Sequence, residues 1–597
     1  MAWIAFAVLC ASVLIDLALY IISHHSTSFL LLAGFLVVYA LGGIAAGGWV
    51  TARLTPDRLT RLRERLARLR GVYLAVGLLV TFAFGLGLRP EFIYTHSAIM
   101  LGVGFALGYD LLYGNTSPLS RTWVIAASLI VVIVTLIRIY ALSYYPSIYW
   151  VDESWVLGWA LSYVKTGHFS DMIMYHAELD IQRFMLPVAW WISLFGSGYW
   201  QVRLFFFLLI IPLILMTARA AHNLFGSGWV TALVMFCSVI VMFGARIRHD
   251  IGLALAVAGS IWLYSEAIKR ERNGLHLFAG VVMGWGLFAH YHAVGFGIAL
   301  TISLYGPRYV ERLRRGQWLP ERAFWFYALG GLLGAATVVV LQILPDWDGF
   351  IARRQPRNPQ SLGKLFDSFF AHWANVLNFS KLEFILIVSA IPVALWRRTR
   401  TDITLVLLVI TMHIALALQA AQAWEYYVIP LTPVYALLIA SLFRSQPQGR
   451  NKAIALAALV LLPNLGLSLQ TPLEHVRERS SLQLPTPPAA QWILDHLPPT
   501  KIIAAEQYYY LFLNDYPFDA IDSWDNLPPQ KPFTSPTAMW DQINPDAVIV
   551  DQNLAWCCAD QPIHDLDYLQ TRGYVKVAEF IGDQYPIQIF EKSDEIK

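Results

Sequence analysis

Two adjacent carboxylates, Asp152 and Glu153, head the stretch YWVDESWVLGWALSYVKTGHF, residues 149–169. A carboxylate placed there can act as a general base toward a hydroxyl or an amine. It can equally cap a helix, because the helix dipole favours negative charge at an N-terminus. Other ionisable residues recur in short turns between apolar runs. ARIRHD packs Arg246, Arg248, His249 and Asp250 together, AHYHAV carries His290 and His292, and AWEYYVIPLTP carries Glu425, Tyr426 and Tyr427. Arg203 stands near the start of one apolar run and Arg138 near the end of another. The segment 346–381 adds Arg353, Arg354 and Arg357. Any one of these could be a long side chain snorkelling to an interface. Gathered on one side of a membrane they mark a site instead, because ionisable groups at membrane depth are costly. Arginine and histidine can hold a phosphate and neutralise charge on a leaving group. A carboxylate facing such a cluster suits a substrate with a lipid tail and a phosphate head, and a polyprenyl-phosphate-linked sugar is such a molecule.

Apolar runs must position these groups. The chain has 597 residues, of which 57% are hydrophobic and only 14% charged. Soluble domains carry about 25% charged residues, so an ordinary soluble enzyme is excluded. A spanning helix needs about 20 mostly apolar residues. Candidate spans fall near 2–22, 27–50, 71–88, 97–113, 122–142, 199–217, 229–245, 251–268, 275–290, 293–306, 323–345, 382–396, 403–421, 428–443 and 453–470. The pattern predicts a mostly α-helical polytopic membrane protein with about fifteen spans. RFMLPVAWWISLFG, residues 183–196, is short and contains a proline, which predicts an interfacial or re-entrant helix. Trp155, Trp159, Ala160 and Tyr163 repeat at helical spacing. They predict an amphipathic helix lying flat on the membrane with the acidic pair at its head.

Lysine and arginine set the orientation. One alternate set of loops holds 23 of them and the other holds 9. The richer set is cytoplasmic, so the N-terminus is inside, and the loops 143–182 and 346–381 lie outside together with residues 471–597. TARLTPDRLTRLRERLARLR, residues 51–70, predicts a basic amphipathic helix against anionic lipid. A net charge of +3 names no nucleic-acid partner. Cys10, Cys237, Cys557 and Cys558 are too few for a disulfide framework or a cysteine-based zinc site.

The chain divides into three parts. Residues 1–121 form four spans with the basic helix, 122–470 form the core with outer loops 143–198 and 346–381, and 471–597 form a small α/β domain on the extracytoplasmic side. LPTPPAAQW punctuates the last boundary. Helix-like AAQWILDHL and QYYYLFL then alternate with strand-like KIIAA, DAVIVD, YVKVAEF and YPIQIFEK.

Four stretches resemble the C-type membrane glycosyltransferases, in the branch of protein O-mannosyltransferases and lipid A aminoarabinose transferases. They are the DE pair with its helix and TGHF, FGSGYWQVRLFFFL, ARIRHDIGLALAVAGSIWLY and AWEYYVIPLTPVYALLIA. Their order and sidedness carry the resemblance, which covers about 122–470. It implies a GT-C-like core in a plasma (inner) membrane, a polyprenyl-phosphate sugar as donor, inversion at the sugar and no cofactor; a divalent metal is not implied. It also implies that Asp152 takes the acceptor's proton with Glu153 in support. Arg203, Arg246, His249, His290, His292, Arg353 and Arg354 would then hold the donor phosphate, with Arg248, Asp250, Glu425, Tyr426 and Tyr427 supporting them. Two positions depart from the family pattern: histidines stand where a lysine is usual in AHYHAV, and Glu425 replaces an arginine. These departures keep open a decayed structural subunit paired with a membrane-protein partner. A lipid or glycan transporter would show internal repeats, and the sequence has none.

Overall fold

The structure is a computed structural model. It describes residues 121–144, 151–167, 183–347, 361–420, 423–443, 450–478, 482, 485–520, 540–541, 543–551, 566–582 and 585–593. The four spans expected within 2–113, the basic helix 51–70, Cys557, Cys558 and Arg353, Arg354 and Arg357 lie outside the described residues.

Helices come in chain order as α1 (Arg121–Tyr140), α2 (Val151–Thr166), α3 (Leu186–Phe195), α4 (Tyr199–Phe225), α5 (Gly228–Cys237), α6 (Val239–Phe243), α7 (Asp250–Arg270), α8 (Asn273–Trp285) and α9 (Ala293–Arg314). They continue as α10 (Arg322–Val338), α11 (Leu362–Phe379), α12 (Lys381–Arg397), α13 (Arg400–Gln419), α14 (Thr432–Leu442), α15 (Arg450–Arg477) and α16 (Pro488–His496). Among the described residues, five helical stretches are long and apolar enough to cross a membrane: Tyr199–Phe225, Asp250–Arg270, Arg322–Ile343, Arg400–Gln419 and Glu425–Leu442. Leu129, Ile130, Val132, Ile133 and Leu136 of α1 are exposed, as lipid-facing side chains would be.

Local chemistry starts and stops these helices. Ser361, Ser380 and Thr399 accept hydrogen bonds from the backbone N–H three residues on, capping α11, α12 and α13. Gly226 ends α4 in the left-handed conformation that glycine adopts without steric cost. Helices α8 and α10 approach backbone to backbone through glycines. A Cβ on Gly280 would sit 2.1 Å from the carbonyl oxygen of Tyr327, and one on Gly330 would sit 2.0 Å from that of Leu277. Small residues at such a crossing let membrane helices pack closely.

The run read as one span at 229–245 is broken at Ser238, between α5 and α6. A break in a buried helix frees backbone groups that need partners. Glu383 of α12 supplies them. Its carboxylate accepts from the Val239 amide at 2.7 Å, the Ser238 hydroxyl at 2.7 Å and the Asn464 side chain at 2.8 Å. Nearby, buried Arg138 donates to the Phe236 carbonyl at 2.9 Å and the Ser468 hydroxyl at 2.6 Å. Glu383→Leu should therefore lower stability by about 3 kcal/mol or more, since each buried polar group left unpaired costs about 1–3 kcal/mol. Denaturation in lipid discs reads this directly, and a midpoint equal to that of Glu383→Gln would refute the bracing role.

Two expectations are corrected. The segment 346–381 is not loop throughout, because α11 fills its second half. Its apolar residues (Leu365, Phe369, Trp373, Val376) recur at helical spacing but are too few in a row to read as a span. Helix α2 forms as expected, yet it does not lie half-exposed. Every described side chain from Glu153 to Ser162 is buried. The C-terminal part covers its second face: a Cβ on Gly158 would lie 3.4 Å from the Tyr510 ring, and Lys165 donates to the Asn514 carbonyl at 2.7 Å.

That C-terminal part holds a five-stranded sheet of β1 (Ile503–Ala505), β2 (Phe518–Ala520), β3 (Ala547–Val550), β4 (Tyr574–Phe580) and β5 (Ile587–Lys592), in the order β2-β1-β3-β5-β4. The first three are mutually parallel, and β5 pairs antiparallel with both β3 and β4. Four strands match the apolar runs read from sequence. The three-residue β2 was not anticipated, because three residues carry no legible alternation.

Candidate active site

Glu153 is the hub. It is fully buried and faces Arg203, also fully buried, in a two-pronged ion pair. Arg203 Nε donates to Oε1 at 3.0 Å and Nη2 to Oε2 at 2.6 Å. The Ile247 amide donates to Oε1 at 2.8 Å, and the Tyr199 hydroxyl donates to Oε2. Arg203 Nη1 reaches back to the Leu142 carbonyl at 2.8 Å, and its guanidinium lies 4.4 Å from the centre of the Tyr199 ring. One carboxylate thus ties together α2, the start of α4, the end of α1 and the turn after α6. Burial alone would push the Glu153 carboxyl up, but Arg203, Tyr199 and the field of Arg246 outweigh it and hold it below the usual range. With both oxygens occupied by four donors, Glu153 has no lone pair to spare for a substrate proton. The acidic pair accordingly divides: Glu153 anchors, and Asp152 precedes it in the first turn of α2.

The turn 244–249 carries the arginines. Arg246 is buried over the Phe243 ring and reaches Glu425 Oε1 only at 3.4 Å. Glu425, Tyr426 and Tyr427 sit together on a short 3-10 helix, Glu425–Leu431. Arg248 donates to Asp250 Oδ2 at 2.7 Å and lies 3.4 Å from the centre of the Tyr426 ring. His249 stacks on His290, with ring centres 4.9 Å apart, and His290 lies 4.0 Å from His292 by the same measure. The Tyr427 ring closes this group at 5.8 Å from His290 and 4.8 Å from His292. Apart from Arg138, which holds the Phe236 carbonyl and the Ser468 hydroxyl, the sequence-derived site residues whose side chains are described join this continuous cluster.

His372 of α11 joins too, its ring 6.3 Å from Tyr427. Sequence reading missed it, because FFAHWANV reads as an unremarkable loop once the segment is not recognised as a helix. It is fully buried, and neither ring nitrogen has a hydrogen-bond partner among the described residues. Burial pushes the His372 imidazole down to about 4. Burial, opposed by the field of Asp250 and reinforced by those of His372 and His249, pushes His292 down to about 3. Burial, reinforced by His292, His249 and Arg248, depresses His290 well below its ordinary value of 6.5. At neutral pH these rings offer one N–H each and no charge, so positive charge at the site comes from the arginines.

The sign of the pH dependence follows. These histidines bind protons more weakly folded than unfolded, so their neutral form favours the fold. That contribution is fully present above about pH 6.5 and is withdrawn as pH falls toward the folded values near 3 and 4. The wild-type protein should therefore lose more thermal stability than His292→Gln between pH 7 and pH 5. Parallel melting curves for the two would contradict this assignment.

Broken helix ends thus gather carboxylates, arginines and histidines beneath a covered helix, with a small sheet in the C-terminal part. Two comparisons with known proteins bear on this architecture. The sequence profile of the family described as Dolichyl-phosphate-mannose-protein mannosyltransferase matches residues 186–341. The fold is similar to that of ArnT from Cupriavidus metallidurans in its crystal structure bound to undecaprenyl phosphate, with a TM-score of 0.55 at 13% identity, over 80% of this chain and 99% of that one. The apo ArnT structure gives 0.54 at 14% identity, over 78% of this chain and 98% of that one. No curated protein matches the chain in sequence.

Proposed function

We propose that this protein is a membrane glycosyltransferase that moves a sugar from a polyprenyl-phosphate donor to a protein, lipid or glycan acceptor. The observation that carries the reading is the junction of Glu153, Arg203, Arg246 and Glu425 at the ends of helices otherwise built of apolar residues. Undecaprenyl phosphate, which the similar ArnT structure holds, is a lipid-tailed phosphate of the kind this junction suits. The reaction takes place at the outer face of the plasma (inner) membrane, with the N-terminus cytoplasmic and the C-terminal domain outside, where the lysine and arginine bias places them.

In the proposed displacement Asp152 accepts the proton of the acceptor hydroxyl or amine. The acceptor atom attacks the anomeric carbon with inversion, and the bond from that carbon to the phosphate oxygen breaks. Polyprenyl phosphate leaves as a stable anion and needs positive charge more than a general acid. Arg246 is suited to supply it, because its contact with Glu425 is long and easily exchanged for a phosphate oxygen. His290 and His292 add neutral N–H donors. No step calls for an organic cofactor. The test is to incubate the purified protein in lipid discs with a panel of polyprenyl-phosphate sugars and measure release of polyprenyl phosphate. Time-dependent release with one of them supports the reading, and none across the panel with acceptor extracts present rejects it.

A further inference from the structure

The cluster also contains a group of three side chains with metal-ligating atoms close together. His249, Asp250 and His290 each offer one nitrogen or oxygen ligand atom, and these atoms all lie within 4.8 Å of one another. We propose that they form a transition-metal site, a two-histidine, one-carboxylate set that takes zinc or cobalt. The resemblance to the glycosyltransferases does not imply a metal, and this inference goes beyond it.

Three features favour an ion here. The ligands come from two separate segments, the start of α7 and the junction before α9, so an ion would staple them where α8 ends. Arg248 Nε holds Asp250 Oδ2 at 2.7 Å, and a hydrogen bond of this kind orients a metal-binding carboxylate. The buried Nε2 of His292 has no hydrogen-bond partner among the described residues, so a water held by the ion would also have a use.

The neighbouring charges decide which ion. Arg246 and Arg248 repel cations, and Asp250 brings one negative charge. A hard ion such as magnesium, which relies on oxygen ligands and charge, is poorly served. Zinc, cobalt or nickel gains from two imidazoles and tolerates the arginines better. Three protein ligands leave a further position open to water or an oxygen anion.

The test uses the full chain in lipid discs, stripped with a chelator and then given zinc or cobalt alone. The expected result is one equivalent of tightly held zinc and a visible cobalt absorption spectrum of low-symmetry type, both lost in His249→Ala and in Asp250→Asn. His249 is only half-buried, so its variant should fold, and a melting temperature near that of the wild type verifies this. Wild-type protein that binds no more zinc than these variants, or gives the spectrum of aqueous cobalt, overturns the proposal. The readout is independent of the proposed reaction. Metal bound without transferase activity would reject only the function, and activity that survives in protein shown to bind no metal would reject only the site.

Discussion

Asp152→Asn should reduce sugar transfer by about 10²–10⁴-fold, the usual contribution of a general base, while the protein folds normally. Glu153 is held by four donors and below the usual carboxylate range, so it cannot serve as the proton acceptor. Asp250, the other carboxylate drawn into the histidines, is already paired with Arg248. The fixed Glu153 pins the first turn of α2, and the residue immediately before it inherits a defined position at no further cost in ordering. Asparagine preserves shape and removes the base. The measurement is single-turnover release of polyprenyl phosphate, together with donor binding and a melting curve. Unchanged binding with lost turnover is the expected split, and wild-type turnover would remove Asp152 from the mechanism.

The parts of this site that could be read from sequence were those where a charged residue interrupts an apolar run. Arg203, Arg246, Arg248, His249, Asp250, His290, His292 and Glu425 all stood out because burying such groups is costly and therefore needs a reason. Their pairing could not be read. That Glu153 rather than Asp152 meets Arg203 depends on which face of α2 turns inward, and adjacent residues on a helix point in different directions. The burial of α2 on both faces was hidden for a related reason. The second face is covered by Tyr510, more than three hundred residues away in the chain. His372 stayed invisible because a histidine in an amphipathic helix looks like a surface residue until the packing of α11 is known. The break at Ser238 had no helix-breaking residue to announce it. It exists because Glu383, on a helix distant in sequence, meets the freed amide of Val239.

Removing either member of the Glu153–Arg203 pair should cost about 3–5 kcal/mol, the penalty for stranding a charge in a dry interior. Arg203→Met leaves a carboxylate with the Tyr199 hydroxyl, the Ile247 amide and the more distant field of Arg246, but without its paired cation. Glu153→Leu leaves a buried guanidinium without its carboxylate partner. Neither charge can find water, because both side chains are fully buried. Both single variants should therefore give little folded protein. The double variant, Glu153→Leu with Arg203→Met, removes both charges and should be more stable than either single one. It should not reach wild type, since the Tyr199 hydroxyl, the Ile247 amide and the Leu142 carbonyl each lose a partner, at about 1–3 kcal/mol apiece. Its activity should stay lost even where its fold is recovered, because the first turn of α2 and the turn carrying Arg246 no longer share an anchor. Unfolding of the four proteins in the same lipid discs gives the coupling between the two positions. Strictly additive losses would mean that the pair is not a unit, and a fully active double variant would mean that it does not position the site.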